Sequence, residues 1–415
     1  MPGIQLFDNR RDRKSPFARF EKSRLGLYLH IPFCRAKCAY CDFYSFVPNE
    51  EEIMERYVDA LILHMQSYRA GAKDYLPDTV FIGGGTPTAL PIELLLKLIR
   101  AVKRNFTLAK GAEFTLEANP ATVDVGMLRR LRWAGVNRLS MGLQSANNEE
   151  LAALSRVHRR EDFAESFRAA RRARIENINV DLMFGIPYQT KKSLMKTLAY
   201  VVRLGPEHIS LYDLILEPST PLAKRAPGLP MPSDDEEADM YLAAVEFLAQ
   251  NGYAQYEVSN FARPGYQCRH NLKYWNCEEY LGLGASAHSY FRDSRFSFAR
   301  DVKRYMHGIE VPTSRIKMTD ENDVISPQER IGEYIMLRFR LTAGLSDREF
   351  TRRFGFSFTQ KYGKKMQPYI SGGFAAYKDG VYALTPRGMF VSNYILSDLL
   401  DFEDLGQLHL FSGMK

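Results

Sequence analysis

Cys34, Cys38 and Cys41 fall in a C-x3-C-x2-C run. Three thiolates on one tight loop can hold three irons of a [4Fe–4S] cube, a cluster that prefers cysteine sulfur. The fourth iron then lacks a protein ligand and is open to chelation by a small molecule, as a catalytic metal keeps one position free. A structural zinc site would want four ligands, usually as two C-x2-C pairs, and the other cysteines, Cys268 and Cys277, lie far downstream. Five cysteines in 415 residues are sparse for a disulfide framework, and the number is odd. Free cysteines acting as small buried hydrophobes are the remaining alternative.

Further along, polar groups sit where a ligand could use them. Gly83, Gly84 and Gly85 precede Thr86 and Pro87; glycines let backbone approach a ligand closely, or they make a tight strand-to-helix turn. Glu117 sits in an apolar strand just ahead of Asn119 and Pro120. A carboxylate there is costly unless it meets a cation or donors, and an ion pair with a nearby arginine would also serve. Gln144 can donate and accept, as sugar hydroxyls require. Arg156 suits a carboxylate through paired hydrogen bonds. Asp181 is a candidate nucleoside contact or a capped strand carboxylate.

These residues need elements to hold them. Short apolar runs at 25–31, 79–82, 113–117, 138–143, 179–184 and 208–215 read as strands. Helical spacing fills 50–70, 91–105, 124–134, 147–173 and 191–204 between them. Such alternation argues for parallel pairing with right-handed crossovers. The expected fold class is α/β, a partial (β/α)6 TIM-like barrel, with its motifs at the C-terminal strand ends where barrels keep their chemistry. Ser233 to Glu236 forms a capping box ahead of a helix to about 250, with Gly252 as its stop. A strand is expected at 253–261, then a stretch rich in glycine, aromatics and cysteine to about 290. Helices near 327–341, 346–354 and 358–371, a short strand at 381–384 and a last helix from Pro386 toward 402 suggest a helical domain of winged-helix type. The expected division is an extension at 1–24, the barrel at 25–225, a connecting α/β segment at 226–310 and the helical domain at 311–415.

Hydrophobic residues are 45% and charged residues 25%, an ordinary globular composition. No stretch is apolar enough to span a membrane, and the N-terminus has a basic run at 10–14 in place of a signal core. A cytoplasmic protein is expected, a setting that suits an oxygen-sensitive cluster. The net charge of +7, from 56 basic and 49 acidic residues, permits an acidic ligand without selecting one. No stripe of aromatics interleaved with lysines argues for nucleic acid.

Together these residues resemble the coproporphyrinogen dehydrogenase-like branch of the radical SAM family, and most closely its HemW group of heme chaperones. The similarity rests on Tyr28, the three clustered cysteines, Gly84 to Thr86, Glu117, Gln144, Arg156 and Asp181. It implies that the cysteines hold a [4Fe–4S] cluster and that the others bind S-adenosylmethionine, the glycine loop at its amino group. Tyr40, Gly85, Thr86 and Ile215 fall where the decarboxylating members place a second S-adenosylmethionine. Those members, called HemN, usually have a further cysteine two residues after the third, where this chain has Phe43. His270, Asn271, Tyr274 and Trp275 match the HNxxYW motif of HemW.

Histidine is a good axial heme ligand and aromatic faces suit a flat macrocycle. The resemblance therefore points to His270 as heme ligand, with Cys268, Cys277 and His288 as rivals and a structural histidine as the alternative. It implies a protein that binds the cluster, S-adenosylmethionine and heme, and passes heme to acceptor hemoproteins. A homodimer and peripheral contact with membrane-bound acceptors stay open. The rival is oxygen-independent coproporphyrinogen III decarboxylation by a 5′-deoxyadenosyl radical, against which Phe43 and the HNxxYW motif both weigh. A third reading, ring opening of a heme-like macrocycle with methyl transfer, ranks last because no methyl-carrying cysteine lies near the barrel motifs.

Overall fold

Strand β1 (Ser23–Ile31) shows how the chain builds its site. Leu25, Leu27, Leu29 and Ile31 are fully buried on one face, while Gly26, Tyr28 and His30 face the other way, as strand alternation requires. The leucine face packs under helices and the other face lines a lumen. Strands β2 (Tyr75–Gly84), β3 (Glu113–Ala118), β4 (Arg138–Gln144), β5 (Asn177–Phe184) and β6 (His208–Asp213) follow, each parallel to the one before. Helices α1 (Glu51–Tyr68), α2 (Ile92–Asn105), α3 (Val125–Ala134), α4 (Asn148–Ala153), α5 (Arg160–Arg172) and α6 (Lys191–Leu204) connect them. This computed structural model describes residues 22–311 and 318–400. Most of the expected N-terminal extension, the basic run at 10–14 and the end of the last helix toward 402 lie outside them.

The helix expected at 147–173 is two helices. Ser155 takes a left-handed φ of 56° between α4 and α5, and the break turns Arg156 inward toward the cysteine loop. After α7 (Pro221–Arg225), α8 (Asp234–Gln250) starts at the Ser233/Glu236 capping box. The strand expected at 253–261 is a hairpin of β7 (Ala254–Gln255) and β8 (Asn260–Ala262). Its turn holds buried Glu257, whose carboxylate accepts from the Ser259 backbone N–H at 3.2 Å.

Six parallel strands were expected and a seventh is present. After α9 (Arg269–Trp275), β9 (Tyr280–Leu283) runs parallel to β1 on its free edge. Strands β10 (His288–Phe291), β11 (Ser294–Phe298) and β12 (Thr319–Val324) extend that edge antiparallel, with α10 (Val302–Glu310) between β11 and β12. The open sheet has the order β12-β11-β10-β9-β1-β2-β3-β4-β5-β6-β8-β7. It therefore crosses the expected boundary at 225, because the segment after it supplies strands to both edges.

Gly282 makes the β9–β10 contact possible: a β-carbon there would lie 2.1 Å from the His288 carbonyl oxygen. Gly282→Ala is expected to destabilise the chain by about 1–3 kcal/mol, read as a lower denaturant midpoint, and an unchanged midpoint would refute the close approach.

The C-terminal part has α11 (Pro327–Arg338), α12 (Asp347–Phe354) and α13 (Phe358–Ser371) beside a small sheet of β13 (Leu345–Ser346), β14 (Ala375–Lys378) and β15 (Val381–Leu384). This is a winged-helix arrangement. The expected last helix is broken at Val391 into α14 (Pro386–Phe390) and α15 (Ser392–Leu399). Among the described residues no helix is long and apolar enough to cross a membrane.

Candidate cluster and nucleotide site

The cysteine loop leaves β1 at Pro32 and folds back on itself. Cys34 N–H donates to Phe46 O, and Phe46 N–H to Pro32 O, both at 2.9 Å. Phe33 anchors the loop edge-on against Phe46 and Tyr57, each at 5.4 Å between ring centres. Cys34 is buried, while Cys38 and Cys41 are half-buried. Burial, then the neighbouring Cys38 and Cys34 thiols, push the Cys41 thiol up to about 11. Iron reverses that balance, because metal binding displaces thiol protons. Among the described residues no three histidine, cysteine or carboxylate side chains surround one point as a single ion would need. A cubane asks for a different arrangement, one thiolate on each of three irons.

The glycine loop after β2 lies against this cysteine loop. Gly85 N–H donates to Ile31 O at 2.9 Å and Thr86 N–H to Phe33 O at 2.7 Å. A β-carbon on Gly85 would meet Phe33 O at 2.7 Å and Cys34 Sγ at 3.0 Å. Gly85→Ala is therefore expected to push the two loops apart. Iron uptake on anaerobic reconstitution should fall by half or more while the fold persists, and wild-type uptake would rule the contact out as a constraint.

A chain of side-chain hydrogen bonds spans the loops. Thr86 Oγ1 donates to Cys34 Sγ at 3.6 Å and accepts from Asn119 Nδ2 at 2.8 Å. Asn119 Oδ1 accepts from Arg156 Nη2 at 3.1 Å. Arg156 also donates to Gly142 O at 3.0 Å and to Cys38 Sγ at 3.2 Å. Sequence reasoning passed over Asn119, whose only signal was its place between Glu117 and Pro120.

Inside the lumen, Glu117 accepts from the Gly84 N–H at 3.1 Å. Burial, then the charge of Asp181, push its carboxyl up to about 8, partly offset by that N–H and by Arg138. Burial also raises Asp181, against donation from Ser140 Oγ at 3.1 Å and Asn179 Nδ2 at 2.8 Å. Tyr28 meets His30 Nδ1 at 3.0 Å, and His30 Nε2 meets Tyr44 O at 2.9 Å. A carbonyl only accepts, so Nε2 carries the proton and Nδ1 accepts from the Tyr28 hydroxyl. Burial lowers His30 to about 4 and keeps the ring neutral. Like Asn119, His30 was missed, although it stands inside the motif.

Gln144 has a left-handed φ of 64° at the end of β4, an uncommon conformation for a side chain of this kind. Its Oε1 is buried without a hydrogen-bond partner, and so is Arg156 Nε. Unpaired buried polar atoms are costly. A carboxylate and hydroxyls on a bound ligand would satisfy both, and a cleft of about 70 Å³ lined by Arg35, Cys38, Asn119 and Arg156 opens beside them. The residues present therefore fit S-adenosylmethionine next to a cluster. Tyr40 lies within electrostatic reach of Arg156 and packs on an apolar patch with Leu154, Met183, Ile186 and Leu222. Ile215 lies past the end of β6 and is exposed. Both stand on the rim of the lumen.

A Radical SAM superfamily profile matches residues 28–201, and a HemN C-terminal domain profile matches 325–391. A heme chaperone HemW of Bacillus subtilis is 36% identical over 90% of this chain and 98% of its own. That of Escherichia coli is 36% identical over 79% of this chain and 85% of its own. This chain belongs to the HemW family. Membership in a radical SAM family implies a [4Fe–4S] cluster and S-adenosylmethionine. The fold is also that of the coproporphyrinogen III oxidase HemN of Escherichia coli, described as a radical SAM enzyme. The TM-score is 0.80 at 23% identity, covering 92% of this chain and 90% of the other.

The HNxxYW residues of this HemW-family chain lie away from the cysteine loop. Helix α9 enters from the N-terminal end of the strands. The carboxylate of Glu113 accepts the backbone N–H groups of Arg269 and His270 at 2.9 and 3.0 Å, and Lys273 pairs with Asp78 at 2.9 Å. His270 is buried, with Nδ1 2.8 Å from Thr79 Oγ1 and Nε2 2.8 Å from the Tyr274 hydroxyl. Burial lowers it to about 3, so it is neutral and uses both nitrogens. The alternative of a hydrogen-bonded structural histidine describes this geometry, and iron would have to displace one of these partners. Cys268 is buried beside Glu113, with Sγ 3.6 Å from its carboxylate. Burial pushes the half-buried Cys277 up to about 12.

Proposed function

We propose that this chain carries heme to acceptor hemoproteins, with a [4Fe–4S] cluster on Cys34, Cys38 and Cys41 and S-adenosylmethionine beside it. The observation that carries the heme reading is identity with proteins named heme chaperone HemW along nearly the whole chain. When bound, the cluster supplies one open iron and a source of an electron. In this reading Arg156 receives the methionine carboxylate, Glu117 and the Gly84–Thr86 backbone receive its ammonium, and Gln144 and Asp181 receive the nucleoside. Tyr28 and His30 wall the lumen, and Tyr40 and Ile215 form its rim. Exposed Phe43, at 57%, stands where the decarboxylating relatives of the resemblance carry a cysteine. A cytoplasmic setting suits the cluster.

The test is anaerobic titration of the reconstituted full chain with heme, alongside incubation with coproporphyrinogen III, S-adenosylmethionine and dithionite. A saturable Soret change with no decarboxylated product is expected. No saturable change, or turnover of coproporphyrinogen III, would overturn the proposal.

A further inference from the structure

The described residues contain seven histidines, and their accessibility separates them. His30, His64, His158, His208 and His270 are buried, with relative exposures of 5, 0, 2, 0 and 1%. Each already hydrogen-bonds protein groups. An iron cannot reach any of them without opening the core. His288 and His307 alone are open among the described residues.

His307 lies on α10 and lines a cleft that also holds Glu50, Glu52 and Glu310 together with Arg56 and Lys303, Arg56 being paired with Glu310. Three carboxylates against two cations leave that cleft net negative, a poor neighbourhood for a dianionic macrocycle. His288 sits on β10, with a side chain 43% exposed. Its strand neighbours are Ser297 across β11 and Gly282 across β9, both small and both buried. Arg295, Arg300 and Asp320 lie within electrostatic reach; Arg295 stacks over the Tyr290 ring at 5.1 Å and pairs with the buried Glu333 carboxylate, while Arg300 is exposed. The Glu321 carboxylate stands 4.0 Å from His288 Nδ1, on the side from which a carboxylate orients a metal-binding imidazole.

Two further contacts tie this face to known parts of the chain. Arg300 donates to Asp42 O at 2.7 Å, and Val302 N–H donates to the Tyr44 hydroxyl at 2.8 Å, so the strand leads into the cysteine loop. From the other side, Tyr274 of the HNxxYW run packs edge-on against Tyr280 at 4.5 Å. Tyr280 pairs with Tyr290 across β9 and β10, two residues from His288.

We propose that His288 is the imidazole that ligates heme iron, with the exposed Arg300 receiving a propionate carboxylate. The HNxxYW helix then packs against the same face of the sheet, nearer the N-terminal ends of the strands, and contributes no ligand. The proposal rests on the heme-carrying reading above and names the site of that cargo.

The experiment is heme titration of the full chain, following Soret absorbance, with resonance Raman or EPR reporting the axial ligand. Wild type, His288→Ala, Arg300→Ala, His270→Ala and His270→Gln are compared, each with its thermal midpoint. His288→Ala should bind heme about tenfold or more weakly, with the imidazole signature lost and restored by added imidazole. Its midpoint should not move, because the side chain is half exposed. Arg300→Ala should weaken binding without changing the ligand signature. The His270 variants should keep that signature while their midpoints fall. An unchanged His288→Ala spectrum and affinity would overturn this site alone. Loss of the imidazole signature in His270→Gln at an unchanged midpoint would do the same. No heme binding by the wild type would overturn both this site and the reading beneath it.

Discussion

Cys41→Ala is expected to hold almost no iron after anaerobic reconstitution, where the wild type takes up about four irons per chain. Two thiolates cannot keep a cubane that already leaves one iron without a protein ligand. The loss should be confined to the cluster. The turn at this point is made by the backbone, Cys41 N–H donating to Cys38 O at 3.3 Å. The half-buried Cys41 side chain lies outside the apolar core. Circular dichroism and the thermal midpoint of the iron-free protein should therefore match those of iron-free wild type. Cys277→Ala is the control: it also removes a half-buried thiol, far from the loop, and should retain full iron. Equal iron in Cys41→Ala and wild type would remove Cys41 from the cluster. Equal loss in Cys277→Ala would show that thiol count, and not the loop, governs uptake.

How much of this was legible follows from the range of the contacts involved. The six barrel strands were readable because each carries its own apolar run, and Cys34, Gly85, Glu117 and Gln144 stand at or just past strand ends as barrel geometry requires, with Asp181 mid-strand in β5. Arg156 was found by type, but not the break that delivers it. The helical pattern runs smoothly through 147–173, and only the pull of Cys38, Asn119 and Gly142 on the guanidinium accounts for the turn at Ser155. Asn119 and His30 gave little signal of their own, since both act through partners far along the chain. Strand β9 was hidden because four residues with a central glycine have no strand periodicity of their own. The placement of His270 depended on Glu113, 157 positions away, a pairing no local pattern encodes. Residue types thus picked out side chains that the fold brings together at the strand ends, while the inward or outward facing of the HNxxYW helix was a tertiary fact.

Glu117 should give the barrel a stability that falls as pH rises. Its carboxyl ordinarily titrates at 4.5 and is pushed up to about 8 here. Between those values the folded chain keeps a proton that the unfolded chain has lost. The stability from that proton is therefore fully present below about pH 4.5 and is lost as pH rises through about 8. The stability of ligand-free wild type should fall relative to that of Glu117→Gln across this window, by a slope of at most about 1.4 kcal/mol per pH unit. The comparison isolates Glu117: the buried histidines and Glu257, raised to about 7, titrate in both proteins, and the amide oxygen can still accept the Gly84 N–H without carrying charge. S-adenosylmethionine reverses the balance, because its cationic groups favour the carboxylate over the acid. Binding at pH 7 should therefore release up to about one proton per ligand. Calorimetry in buffers of different ionisation enthalpy reads this release directly, and Glu117→Gln should abolish it. A buffer dependence identical in wild type and variant would move the titrating group elsewhere, with Asp181, whose charge already acts on Glu117, as the next to substitute.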